Sequence, residues 1–133
     1  MSIPTGTGGK VLDASALMAW TTGSLALASW IAVAPGLGLT LLIPSAARAE
    51  ALIARPGDAA LLDVLLAEPA ALIVEAPEPA YLAEIEALYG RTGVFDPLAV
   101  WVVALCRARG WPALSTDPAR LERIDPAIEV TGL

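Results

Sequence analysis

The 133-residue chain contains no histidine. That excludes Ser-His-Asp and Cys-His nucleophilic machinery and ordinary zinc sites, all of which depend on imidazole. Cysteine is almost as scarce. Cys106 stands alone in the apolar run over residues 98–106, so no internal disulfide can form, and its plain reading is a buried core thiol in a reducing interior. Basic residues are few, 8 Lys and Arg against 14 Asp and Glu, which gives a formal charge of -6. This balance opposes binding nucleic acid by bulk electrostatics, although a bound cation would offset part of it locally. Any acid, base or metal ligand in this chain is therefore a carboxylate.

Charge of either sign is missing from residues 14–47, and residues 23–43 are apolar and long enough to imitate a membrane span. Ala47-Arg48-Ala49 even imitates a small-residue cleavage site. Two features oppose spanning or export. Pro35, Gly36 and Gly38 break the run, and only one Lys, followed closely by Asp13, precedes it. The run then reads as a buried helix followed by a buried strand in a cytoplasmic protein that does not use a membrane. The reading it displaces is a membrane-anchored or exported protein.

What the chain does have is a 56% hydrophobic composition, ample for one compact core. The expected organisation is a mobile Gly/Thr-rich tail over residues 1–9 and a single domain over residues 10–133. Within that domain, short apolar runs alternate with helical patterns. Val11-Leu12 starts a sheet, residues 15–22 and 24–34 read as helices, and Pro35-Gly36-Leu37-Gly38 reads as a turn. Residues 39–43 form a buried strand, Ser45 is placed to cap a helix over 46–54, and Asp58 to cap another over 59–67. Strand 71–74 follows, then a helix over 80–89 closed by Gly90, an apolar helix over 98–107 closed by Gly110, strand 111–114, a short helix over 119–123 and strand 128–131. Such alternation implies right-handed crossovers and an α/β sandwich around a mostly parallel sheet of about five strands.

Four carboxylates stand out against that frame. Asp13 and Asp117 each follow an apolar strand, so both are delivered to the carboxyl edge of a parallel sheet, where such sheets place ligands. Asp96 begins a helix that can face the same edge, and Glu50 lies early in the helix after the second strand. Each has a plainer reading too: Asp96 and Asp117 as N-caps before proline, Glu50 as a solvated helix residue. Asp13 directly after a buried strand needs partners on either reading. Converged without a basic neighbour, the four would repel and resist full ionisation unless a hard cation such as Mg²⁺ or Mn²⁺ sat among them. Replacing one of them by Asn would then relieve strain in the metal-free protein. Arg48, Arg91 and Arg120 are the basic residues placed to line an approach, with solvated surface charge as the alternative.

The layout resembles the PIN domain, most closely the single-domain ribonucleases that act as VapC-type toxins. The resemblance lies in Val11-Leu12-Asp13-Ala14-Ser15, in Ile43-Pro44-Ser45 with Glu50 following, in Asp96-Pro97-Leu98-Ala99 and in Ser115-Thr116-Asp117, in that order from Lys10 onward. It implies a PIN-like α/β/α sandwich, an acidic quartet of Asp13, Glu50, Asp96 and Asp117, and supporting hydroxyls from Ser15 and Thr116. It also implies Mg²⁺- or Mn²⁺-dependent hydrolysis of RNA, an antitoxin partner and a homodimer. The nearly uncharged helix over 24–34, with Trp30, fits a face that meets a partner rather than water. A catalytically silent PIN-like interaction module is the rival reading.

Overall fold

The computed structural model describes residues 8–133; most of the expected tail, residues 1–7, lies outside them. The tail's last residue is already structure. Gly9 opens β1 (Gly9–Leu12), and a Cβ there would stand 2.5 Å from the Trp111 ring and 2.7 Å from the Thr40 carbonyl, so no larger side chain fits. The other strands are β2 (Thr40–Pro44), β3 (Ala71–Val74), β4 (Ala113–Ser115) and β5 (Val130–Gly132). Together they form one parallel sheet in the order β3-β2-β1-β4-β5.

The helices are α1 (Ala14–Thr21), α2 (Leu25–Leu37), α3 (Ser45–Ala54), α4 (Ala59–Leu66), α5 (Pro79–Thr92), α6 (Pro97–Arg109) and α7 (Pro118–Glu122). From β1 the chain steps outward through β2 to β3, then returns across the sheet to β4 and β5. Right-handed crossovers in opposite directions must cover opposite faces. Accordingly α1 packs on α2, α3 and α4, while α6 packs on α5 and α7 and lies against β1, β2 and β4. The result is the expected three-layer α/β/α sandwich. Its centre is α6, in which every residue from Leu98 to Cys106 is buried, with the helix lying against β1, β2 and β4.

Several local expectations shift, each for a physical reason. The helix α2 runs through Pro35, because a proline in the last turn removes only one backbone bond and Gly38 then closes the helix at φ 68. Ser45 is the first residue of α3 rather than its cap, and its hydroxyl donates instead to the Glu75 carbonyl at 2.8 Å. Asp58 makes no cap bond to α4; it ends a 3₁₀ turn (Pro56–Asp58) and pairs with Arg55 at 2.9 Å. Gly90 lies inside α5, which continues to Thr92, where Gly93 supplies the left-handed residue. The strands expected at 111–114 and 128–131 begin two residues later.

The apolar stretch that imitates a span divides into α2 and β2. Leu27, Ile31 and Ala34 of α2 are buried, whereas Leu25, Val33 and Leu37 are exposed. Among the described residues no single helix is long and apolar enough to cross a membrane, and α1 and α2, which together have the length, meet at a 104° bend.

Candidate active site

The sheet reverses its direction of growth between β1 and β4, and in open α/β sheets the crevice at such a reversal is where ligands bind. Pairing of Val11 with Ala113 and Leu12 with Leu114 sets Asp13 beside Ser115 at the carboxyl edge of that crevice. Both are buried. Asp13 Oδ1 accepts from Ser15 Oγ at 2.6 Å and from the Ala16 backbone N–H at 2.9 Å, so it also caps α1; Oδ2 accepts from Ser115 Oγ at 2.6 Å. The two hydroxyls accept in turn. Thr116 donates its backbone N–H to Ser15 Oγ and Asp117 donates its own to Ser115 Oγ, each at 2.9 Å. A buried carboxylate thus finds the partners it needs, and the same hydroxyls fix the start of α7.

The other acidic residues meet around Arg120. Its Nε and Nη2 donate to Oδ2 and Oδ1 of Asp96, both at 2.8 Å, while Nη1 and Nη2 donate to Oε2 and Oε1 of Glu50 at 2.7 and 2.8 Å. One guanidinium therefore holds two carboxylates by two forks, the geometry for which arginine is suited. Asp96 also caps α6 by accepting from the Ala99 N–H at 3.3 Å. The Arg120 fork, opposed by burial and aided by the Ala99 bond, holds the Asp96 carboxyl below the usual aspartate range. Asp96 and then Glu50 push the guanidinium's pKa upward, so Arg120 stays charged. Asp117 closes the circle: its Oδ1 accepts from the backbone N–H of Arg120 at 3.4 Å as the cap of α7.

The four acidic residues are thus joined in one polar network, from Asp13 through Ser115 and the Asp117 backbone to Arg120, and on to Glu50 and Asp96. The expectation that they converge without a basic neighbour is corrected, because Arg120 is that neighbour. It does not line an approach; its fork is spent on the carboxylates. Arg48 points elsewhere, to Asp63 on α4 at 3.2 Å, since two residues along a helix separate it from the face that carries Glu50. Arg91 is exposed in the last turn of α5. Ser15 is in the network through its hydroxyl, whereas Thr116 enters by its backbone N–H and its side chain is exposed.

Sequence reasoning missed two residues. Ser115 was signalled by register, because it lies one step beyond Leu114 as Asp13 lies one step beyond Leu12. Arg123, 62% exposed and 3.8 Å from Asp96, follows Arg120 by three residues and so shares its side of the chain.

Carboxylate oxygens suit a hard cation. The arrangement does not: all four oxygens of Glu50 and Asp96 accept from Arg120, both oxygens of Asp13 accept from hydroxyl or amide donors, and among the described residues no three His, Cys, Asp or Glu side chains are grouped to hold an ion.

No protein-family model matches the chain, and no curated protein matches it in sequence. Among solved structures it is similar to a chain in the crystal structure of VapBC2 from Rickettsia felis bound to a DNA fragment from their promoter. The TM-score is 0.69 at 13% identity, over 93% of this chain and 98% of that one. At that identity the likeness concerns the fold alone, a PIN-like α/β/α sandwich across nearly the whole described chain.

Proposed function

We propose that this chain is an endoribonuclease of the VapC type, hydrolysing phosphodiester bonds in RNA with Mg²⁺ or Mn²⁺ and serving as the toxin of a toxin–antitoxin pair. Asp13, Glu50, Asp96 and Asp117 are its acidic quartet, Ser15 and Ser115 hold Asp13, and Thr116 contributes its backbone. The observation that carries this reading is the delivery of four acidic side chains from four separate elements into one polar network at the carboxyl edge of a parallel sheet. Simple caps explain Asp96 and Asp117, but they do not explain why Glu50, which caps nothing, joins them. Arg123 is the exposed cation best placed to meet an incoming phosphate.

The exposed side chains of α2 support a protein partner, an antitoxin or a second copy. The similar Rickettsia felis structure is itself a VapBC2 assembly on DNA.

The silent interaction module has one observation in its favour: the double fork of Arg120, which leaves Glu50 and Asp96 fully engaged. Cleavage of single-stranded RNA across a wide Mn²⁺ range decides between the two. Wild type and Arg120→Gln should show metal-dependent cleavage, and Asp13→Asn or Asp96→Asn should lower it by roughly 100-fold or more. No cleavage by wild type or Arg120→Gln at any Mn²⁺ concentration favours the silent module.

A further inference from the structure

We infer that Arg120 is a built-in counter-ion that closes the acidic site, and that a divalent cation enters only as the guanidinium withdraws from Glu50 and Asp96. This rests on the nuclease reading for the identity of the incoming ion and adds the regulation of its entry. Four bonds of 2.7–2.8 Å tie one planar group to both carboxylates, so the space between them is filled by arginine rather than open to a hydrated ion. The side chain of Arg120 is only 22% exposed and that of Asp96 15%, so the contact is poorly screened, unlike an ordinary surface pair.

A purely structural role is the competing explanation, and the anchoring of α7 speaks against it. That short helix is already held at its start by Ser15 Oγ on Thr116 N–H and by Ser115 Oγ on Asp117 N–H, and along its length by the fully buried Leu121. Arg120 is surplus to that anchoring, and its side chain can swing away by torsions of its own while the helix stays in place. Glu50, whose side chain is 40% exposed, forms the open wall through which the guanidinium leaves.

The test is Mn²⁺ binding, followed by the electron paramagnetic resonance of free Mn²⁺, to the full-length wild type, Arg120→Lys and Arg120→Gln. Removing the resident charge should tighten binding roughly tenfold or more in Arg120→Gln. Arg120→Lys, a point charge that cannot form both forks, should fall between. Equal or weaker binding by Arg120→Gln overturns the inference, since a merely structural arginine would not restrain the ion. No binding by any of the three overturns it together with the metal requirement of the nuclease. Tighter binding by Arg120→Gln with no RNA cleavage by any variant leaves the latch standing and removes the nuclease. Should Arg120→Gln fail to melt cooperatively, Mg²⁺ titration of wild type followed by the Arg120 Nε–H resonance decides: the signal should move with ion binding, and an unmoved signal at saturation overturns the proposal.

Discussion

Ser115 Oγ donates a 2.6 Å hydrogen bond to Oδ2 of Asp13, a residue 102 positions earlier in the chain. The contact exists because β1 and β4 are neighbours, and it makes Ser115 the residue on which a buried charge depends. Ser115→Ala should therefore destabilise the fold by about 1–3 kcal/mol, the usual penalty for stranding a buried acceptor. Thr116→Ala, at an exposed position, should stay within about 0.5 kcal/mol of wild type. Urea denaturation of both variants checks this, and a larger loss for Thr116→Ala would refute the assignment.

Asp96→Asn should lower the melting temperature of the metal-free protein, because Asn keeps the cap of α6 but loses the paired fork to Arg120. A cluster ruled by repulsion would give the opposite sign. The pH dependence follows from the lowered pKa of Asp96 in the folded state. Its stabilisation is complete above the unfolded value of about 3.9 and is lost as pH falls through the lower folded value. Melting curves of wild type and Asp96→Asn, separate at neutral pH, should draw together as pH falls below the unfolded value of about 3.9; a gap that stays constant into acid contradicts the pairing.

Burial first, and the negative charge of Asp13 second, push the Cys106 thiol up to about 12. An unfolded thiol ionises near about 8.5. The folded state then retains a proton that the unfolded state releases, so stability is intact below about 8.5 and declines as pH rises toward about 12. Cys106→Ala should show a shallower alkaline decline. Native protein should resist iodoacetamide at mildly alkaline pH, where urea-unfolded protein reacts; rapid alkylation of the native thiol would show that the site opens.

Leu114→Ala should cost about 2–5 kcal/mol, since the side chain is fully buried in the core beside Leu12 of the central strand. Leu25→Glu, at 83% exposure, should leave stability almost unchanged. If α2 meets a partner, the same change should abolish the dimer seen by light scattering or the complex with antitoxin. A variant that both folds and associates like wild type would place the partner elsewhere.

Most of the architecture was legible because apolar runs of four or five residues, such as 39–43 and 71–74, alternate with helical patterns, and alternation dictates crossovers. Boundaries were less legible where two residues competed for one role. Gly90 and Gly93 both stand near the end of α5, and only packing of the last turn selects Gly93. Asp13 could be read because a carboxylate after a buried strand has few alternatives. Arg120 could be placed near the site, but not inside it. Its fork depends on the side-chain geometry of Glu50 and Asp96, which lie 70 and 24 residues away, and no local pattern encodes that meeting.

The strand order carries a further consequence for when the acidic edge can exist. β1 sits in the middle of the sheet, yet one of its two neighbours, β4, is made some hundred residues later. A chain emerging during synthesis can pair β1, β2 and β3 and bury one face early, while Asp13 still lacks Ser115, and Glu50 still lacks Arg120. The site is consequently incomplete until β4 and α7 have been made. A truncated product ending after α6 would expose an unpaired edge of β1, an Asp13 Oδ2 without its Ser115 donor and a Glu50 without Arg120, a species fit for proteolysis rather than for chemistry.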